Sequence, residues 1–306
     1  MNVKVLLAGV TGYIGQSLVA SLASDYTLYT ISKYPKRQKQ PDVNWIRGDI
    51  YNYSDVLNAM NGIDVAVFYI DPTKHSAKMT RALARELNLI AADNFARAAF
   101  TQNVKEILYI SGSKFDHETV NQLRAYGTPV RTTSQKMNRP HISVEFQVAK
   151  HNDIRIVHHI PKPLDWGLEQ VIDQFVKWLT QTKGTRLVAY KKGNEIKVYQ
   201  KKKGKLLAIF RIESIDEKLY RLVMVKGRLS RSVAGKNTII EFRHIPQTNW
   251  VMIHLFDYVP RVIWPIAYFI QVPYLIMLIR GFDTKCRIQT YQERLQKGEN
   301  LHYTKD

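Results

Sequence analysis

The sequence predicts an α/β protein in two parts: a doubly wound parallel sheet with helices on both faces, followed by an α+β domain built on an antiparallel sheet. Three observations predict this. The first half alternates short apolar runs with stretches of helical period, the pattern of parallel strands joined by crossover helices. A glycine-rich turn, Gly9-Val10-Thr11-Gly12-Tyr13-Ile14-Gly15, lies between the first apolar run and the first helix. From Thr185 onward many runs alternate apolar with polar residues, and turn-like pieces such as Lys192-Gly193-Asn194 separate them.

Taken in order, Val3–Ala8 is almost continuously apolar, as a buried parallel strand requires. Tyr13–Ser24 places Ile14, Leu18 and Leu22 on one helical face. Strands are expected at Thr27–Ser32, Val43–Arg47, Asp64–Ile70 and Glu106–Ser111, with helices at Ser54–Met60 and Ser76–Gln102. Beyond Gly127, the segments Pro129–Ser134, Ile142–Ala149 and Arg155–Ile160 read as strands, and Leu164–Thr182 as an amphipathic helix ending at Lys183-Gly184. That ending sets the expected boundary between a domain of residues 1–183 and one of residues 184–306. A meander follows at Arg186–Tyr190, Glu195–Gln200, Lys205–Ser214, Lys218–Arg228, Thr238–His244 and Trp250–Tyr258, then helices at Arg261–Gln271 and Pro273–Gln296.

Length and composition fit this division. The chain has 306 residues, 45% hydrophobic and 23% charged, which supports packed cores and excludes a disordered or collagen-like chain. The single cysteine, Cys286, excludes an internal disulfide and a cysteine-rich zinc module. The opening MNVKVLLAGV has no secretory pattern, so a reducing, cytoplasmic setting is expected. Net charge is +19, divided as +6 over residues 1–183 and +13 over residues 184–306. Such a balance favours acidic partners: nucleotide phosphates, anionic lipid surfaces or nucleic acid. Nucleic acid is not expected, because the basic cluster Lys201-Lys202-Lys203-Gly204-Lys205 has no interleaved aromatics. No metal and no nucleophile are assigned. His158 and His159 are neighbours that face opposite ways on a strand, and Gly-x-Ser-x-Gly does not occur.

The glycine turn is the specific chemical signal. A glycine at the strand end allows a tight turn, and one at the helix start lets backbone amides approach a phosphate where the helix adds partial positive charge. The third allows helix and strand to pack closely. Strand, loop and helix in that order are the context a Rossmann-like dinucleotide site needs. Gly9, Thr11, Gly12, Tyr13, Ile14 and Gly15 are therefore expected at the pyrophosphate. An NAD-specific site usually carries an acid at the end of the second strand. Here that strand ends Ile31-Ser32-Lys33-Tyr34-Pro35-Lys36-Arg37, so Ser32, Lys33 and Arg37 favour NADP(H), with NAD(H) as the alternative.

With these pieces the N-terminal half resembles the atypical short-chain dehydrogenase/reductases, specifically the NmrA-like NAD(P)-binding group. The matching residues are Gly9–Gly15, Arg47-Gly48-Asp49-Ile50, Gly62–Val65, Asn94-Phe95-Ala96 and Asn103–Ser111. The resemblance implies that Asp49 and Ile50 border the adenine, that Tyr69 and Ile70 line the ribose and pyrophosphate, and that Ser111 lies near the nicotinamide. It departs at the chemistry. The Tyr-x-x-x-Lys pair, in which lysine lowers the tyrosine pKa for proton donation, does not occur where expected: Ser113 stands four residues after Tyr109 and Val130 four after Tyr126. The implied activity is that of an oxidoreductase or epimerase-like enzyme on an apolar or carbonyl substrate; the missing pair equally fits a redox sensor, and a lipid-handling protein at a membrane surface is a third reading.

The C-terminal part resembles the START-like (helix-grip) domain that follows the NAD(P)-binding module in YbjT-like proteins. The markers are Phe210-Arg211-Ile212-Glu213, Leu222-Val223-Met224, Ile240-Glu241-Phe242 and Tyr268…Arg280-Gly281-Phe282. Such folds wrap a curved sheet around a long helix and often leave an apolar cavity. Trp250, Met252, His254, Phe256 and Tyr258 form one strand stripe, read as core or as the wall of a pocket for an apolar molecule or lipid. Residues 262–279 are 18 in a row without charge, short of the ~20 a membrane span needs and interrupted by Pro265 and Pro273. Two shorter buried helices are the expected reading, with membrane-surface docking and insertion as alternatives.

Overall fold

The computed structural model describes residues 2–35, 40–69, 77–111, 116–133, 152–233 and 235–299. The chain divides into two compact units, Met1–Ser76 with Leu83–Gln147, and Ala77–Ala82 with Val148–Asp306.

In the first unit β1 (Lys4–Leu7), α1 (Tyr13–Leu22), β2 (Thr27–Ser32), β3 (Val43–Arg47), α2 (Tyr53–Ala59) and β4 (Val65–Phe68) follow the expected alternation closely. β5 (Met79–Arg81) intervenes before α3 (Ala84–Thr101), β6 (Glu106–Ile110), α4 (His117–Arg124) and β7 (Val130–Thr133). The sheet order is β3-β2-β1-β4-β6-β7, with every pair parallel. Winding reverses between β1 and β4, and open α/β sheets bind ligands at such a switch point. Val5, Leu7, Val10, Leu28 and Trp45 form one core layer, against which Ile14, Leu18 and Leu22 of α1 pack. The apolar spacing of α1 thus does what the periodicity predicts.

The second unit begins with a short detour. The sequence reading has one helix over Ser76–Gln102, but Met79–Arg81 pairs in parallel with Ile154–Ile156 of β8 (Ile154–Pro161). The helix starts only at Ala84, where the Glu86 carboxylate accepts from the Leu83 amide at 2.7 Å. β8 also pairs antiparallel with β14 (Trp250–Tyr258). This corrects the boundary expected at residue 183: β8 and α5 (Leu168–Gln181) belong to the second unit. The cause is a pairing between strands about ninety residues apart, which no local pattern announces. Ile142–Ala149 lies outside the described residues.

The remaining strands are β9 (Leu187–Lys192), β10 (Glu195–Gln200), β11 (Leu206–Asp216), β12 (Leu219–Gly227) and β13 (Ile239–His244). The sheet order is β5-β8-β14-β13-β12-β11-β10-β9, antiparallel except at β5. Phe175 of α5 stands 5.7 Å from Phe242 and 5.1 Å from Phe282 between ring centroids, so sheet and helices share one core. On β14 that core takes Val251, Ile253, Leu255 and Tyr258. The expected single stripe is therefore corrected. Met252, His254 and Phe256 are buried on the opposite face, Trp250 is exposed, and a register shift after Leu255 turns Tyr258 to the helix side.

The two helices expected after Arg261 are also corrected. α6 (Trp264–Ile266), a π-helical stretch (Ala267–Gln271) and α7 (Val272–Gln296) run on as one helix of 33 residues. Pro273 has no amide to donate to the carbonyl four residues back. The chain widens just before it, with the Val272 amide donating to Ala267 O, instead of breaking. Only 28% of its apolar window is buried.

Candidate functional site

The site is built where β1 runs out. Gly12 caps α1 without a side-chain hydrogen bond, so the first-turn amides have neither an intrahelical partner nor a cap. Gly15 shows why the motif needs its third glycine: a Cβ there would stand 2.2 Å from Gly9 O and 2.6 Å from Val10 Cα, both backbone atoms. The helix start rests directly on the loop.

Side chains take up the carbonyls of this loop. Gln40 Nε2 donates to Val10 O at 3.0 Å and Gln16 Nε2 to Thr11 O at 3.1 Å. Tyr69, one residue beyond β4, donates its hydroxyl to Gly9 O. Burial pushes the Tyr69 phenol above its ordinary range, so it stays a neutral donor. With its carbonyls engaged, the loop leaves amides for an anion, and the α1 dipole adds positive potential there. The residues fit a dinucleotide pyrophosphate.

Around this cradle the other expected residues are placed as follows. Ser32 Oγ accepts from the Tyr34 amide at 3.2 Å at the end of β2. Lys33 Nζ lies 3.7 Å from Asp49 Oδ2, with side chains 11% and 3% exposed, so that aspartate carries a cation beside it. Asp49 Oδ1 also accepts from the Tyr51 amide at 3.0 Å. Ile50 is held through its carbonyl, which accepts from Asn94 Nδ2 of α3 at 3.0 Å. Thr11 is half-buried in the loop, and Tyr13 and Ile14 open α1. Ser111 follows β6 and is buried. Among the described residues no hydrogen bond joins it to a histidine, lysine or carboxylate, so it has no acid–base partner there. Arg37 and Ile70 lie outside the described residues. The structure thus brings Gly9–Gly15 together with Tyr69, and Lys33 together with Asp49. Gln40 was missed by the sequence reading; thirty residues separate it from its acceptor and no spacing rule marks it.

A second polar group lies within the second unit, on the sheet face opposite the helices. Glu241 Oε1 accepts from Arg221 Nε at 2.9 Å, and its Oε2 from Arg243 at 3.0 Å. His254 Nδ1 is 3.3 Å from the same carboxylate, and Arg155 is equally buried. Burial lowers the His254 pKa to about 4, against the pull of Glu241, so the ring is neutral at physiological pH.

Residues 9–145 match the family model described as NAD(P)H-binding. Over 113 residues, 35% of this chain and 28% of the other, it is 34% identical to short-chain dehydrogenase/reductase family 42E member 1 of Bos taurus. Among solved structures, the Bordetella bronchiseptica enzyme WbmH in complex with NAD+ matches 43% of this chain and 55% of its own at 18% identity, with a TM-score of 0.35. The auxiliary protein GraX of Staphylococcus aureus is 47% identical over 307 residues, covering 100% of both chains. On that full-length identity the chain belongs to the family of the auxiliary protein GraX, with an NAD(P)H-binding domain of Rossmann type as its first unit.

Proposed function

We propose that the chain is a cytoplasmic NADP(H)-responsive auxiliary protein: it binds the dinucleotide in the first unit and acts through its occupied state, without turning it over. The observation that carries this reading is the uncapped start of α1 at the β1/β4 switch point, with the loop carbonyls engaged by Gln40, Gln16 and Tyr69. Three features support the absence of turnover. Tyr-x-x-x-Lys does not follow from Tyr109 or Tyr126, where the resemblance expects it, Ser111 has no acid–base partner among the described residues, and the full-length relative is named an auxiliary protein. NADP(H) is preferred to NAD(H) because β2 ends without an acid and Lys33 follows directly. The second unit is read as START-like, since its meander is closed by one long helix. A pocket for an apolar molecule inside the core is not included, because Phe175 packs there against Phe242 of the sheet and Phe282 of the long helix.

Separate fluorescence titrations with NADPH and NADH test the reading. Saturable binding at least tenfold tighter for NADPH is expected. Equal affinities remove the preference, and no binding of either removes the function. A second reading, an oxidoreductase or epimerase-like enzyme, is favoured by the position of Ser111 just past β6, where the family resemblance puts the nicotinamide. Oxidation of NADPH with a carbonyl or quinone panel would select it over the first.

A further inference from the structure

The helix that closes the second unit has two unlike faces. Ala267, Val272, Leu278 and Phe282 are buried in the unit's core. On the other side, Ile263 is 68% exposed, Phe269 73% and Ile270 64%, with Ile266, Tyr268 and Met277 beside them. Solvent-exposed apolar residues of this number in one short stretch mark a contact surface. Between Asp257 and Asp283 the chain carries no acidic residue, while Arg261 and Arg280 bracket the apolar run. Two more cations come from β5 and the residue before it: Lys78 Nζ stands 4.3 Å above the Trp264 ring, and Arg81 lines an open groove of about 550 Å³. Tyr268, Val272, Ile276, Met277 and Arg280 form other parts of that groove, so apolar walls carry two guanidinium groups.

From this arrangement we infer that residues 262–280 dock the protein on an anionic lipid bilayer, with Ile263, Phe269 and Ile270 entering the headgroup boundary and Arg81 and Arg280 meeting lipid phosphates. Apolar side chains set among arginines and lysines, with Trp and Tyr at the same level, are the composition of an interfacial helix. A second copy of the chain fits less well, because a self-complementary contact would bring these cations against one another with no acid to offset them. Crossing the bilayer would withdraw Val272, Leu278 and Phe282 from the core. The inference is independent of the nucleotide reading.

The test is flotation of the full chain with vesicles of phosphatidylcholine alone and with a third phosphatidylglycerol. Flotation is expected with the anionic vesicles and at least tenfold less with the neutral ones. It should fall at least tenfold in the double variant Ile263→Glu/Phe269→Glu and several-fold in Arg81→Glu, while NADPH affinity and melting temperature stay at wild-type values. The first pair is exposed and outside the core, so the fold is retained. Absence of flotation, or flotation unchanged in the double variant, overturns the inference. So does resistance to alkaline carbonate extraction, which means insertion. A dimer in solution that Phe269→Glu dissociates, without vesicle binding, overturns it in favour of a second copy.

Discussion

The two sheets differ in what their strands bury. In the parallel sheet, β1, β2 and β4 lie between flanking strands, and the candidate ligand site, the glycine loop that follows β1, is made largely of main chain. In the antiparallel sheet, one face of β14 meets the aromatic core while the other buries His254 beside Glu241, Arg221 and Arg243. A site made of backbone amides tolerates change in its side chains but not in its glycines. A buried ionic group is the reverse: its stability rests on each partner's charge.

The largest effect that would test this contrast is Glu241→Ala. Removing the carboxylate shared by Arg221, Arg243 and His254 should cost about 3–5 kcal/mol, read as a lowered urea midpoint; a loss under 1 kcal/mol would show the cluster is not a stabilising unit. Next comes pH. His254 titrates near 6.5 when unfolded and at about 4 when folded, so below 6.5 the unfolded state binds the extra proton. Its contribution is complete above 6.5, is lost as pH falls to about 4 and is constant below that. Urea midpoints taken across this range should fall, and His254→Gln should flatten the slope.

In the first unit, Gly12→Glu puts a carboxylate where a phosphate belongs and should weaken NADPH binding at least 100-fold, about 2.8 kcal/mol, with the urea midpoint little changed. Retained affinity would move the site elsewhere. The smallest expected change is Tyr69→Phe, which removes one donor to Gly9 O. It should cost about 1 kcal/mol of nucleotide affinity, near fivefold, by the same titration.

What could be read in advance tracks the range of the interactions. β2 and β3 fall at Thr27–Ser32 and Val43–Arg47 as expected, because a buried parallel strand shows itself as an apolar run of its own. The glycine turn was legible because its chemistry is local: Gly15 answers to Gly9, six residues away. Gln40 was not, since its partner is Val10. Arg155–Ile160 reads as a strand yet is expected in the domain of residues 1–183, and Met79–Arg81 falls inside the helix expected over Ser76–Gln102. Both are decided by pairing, Met79–Arg81 with β8 and β8 with β14.

By itself the amino-acid sequence determined the alternating strands and helices of the first unit, the glycine turn between β1 and α1, and the basic second half. These follow from periodicity, from glycine's missing Cβ and from counting charges. Only the tertiary structure decided which sheet β5 and β8 join, that the charged cluster around Glu241 is buried, and that the apolar run after Arg261 is one helix with most of that run uncovered. Burial depends on what packs against a residue, and its partners here lie tens to more than a hundred positions away.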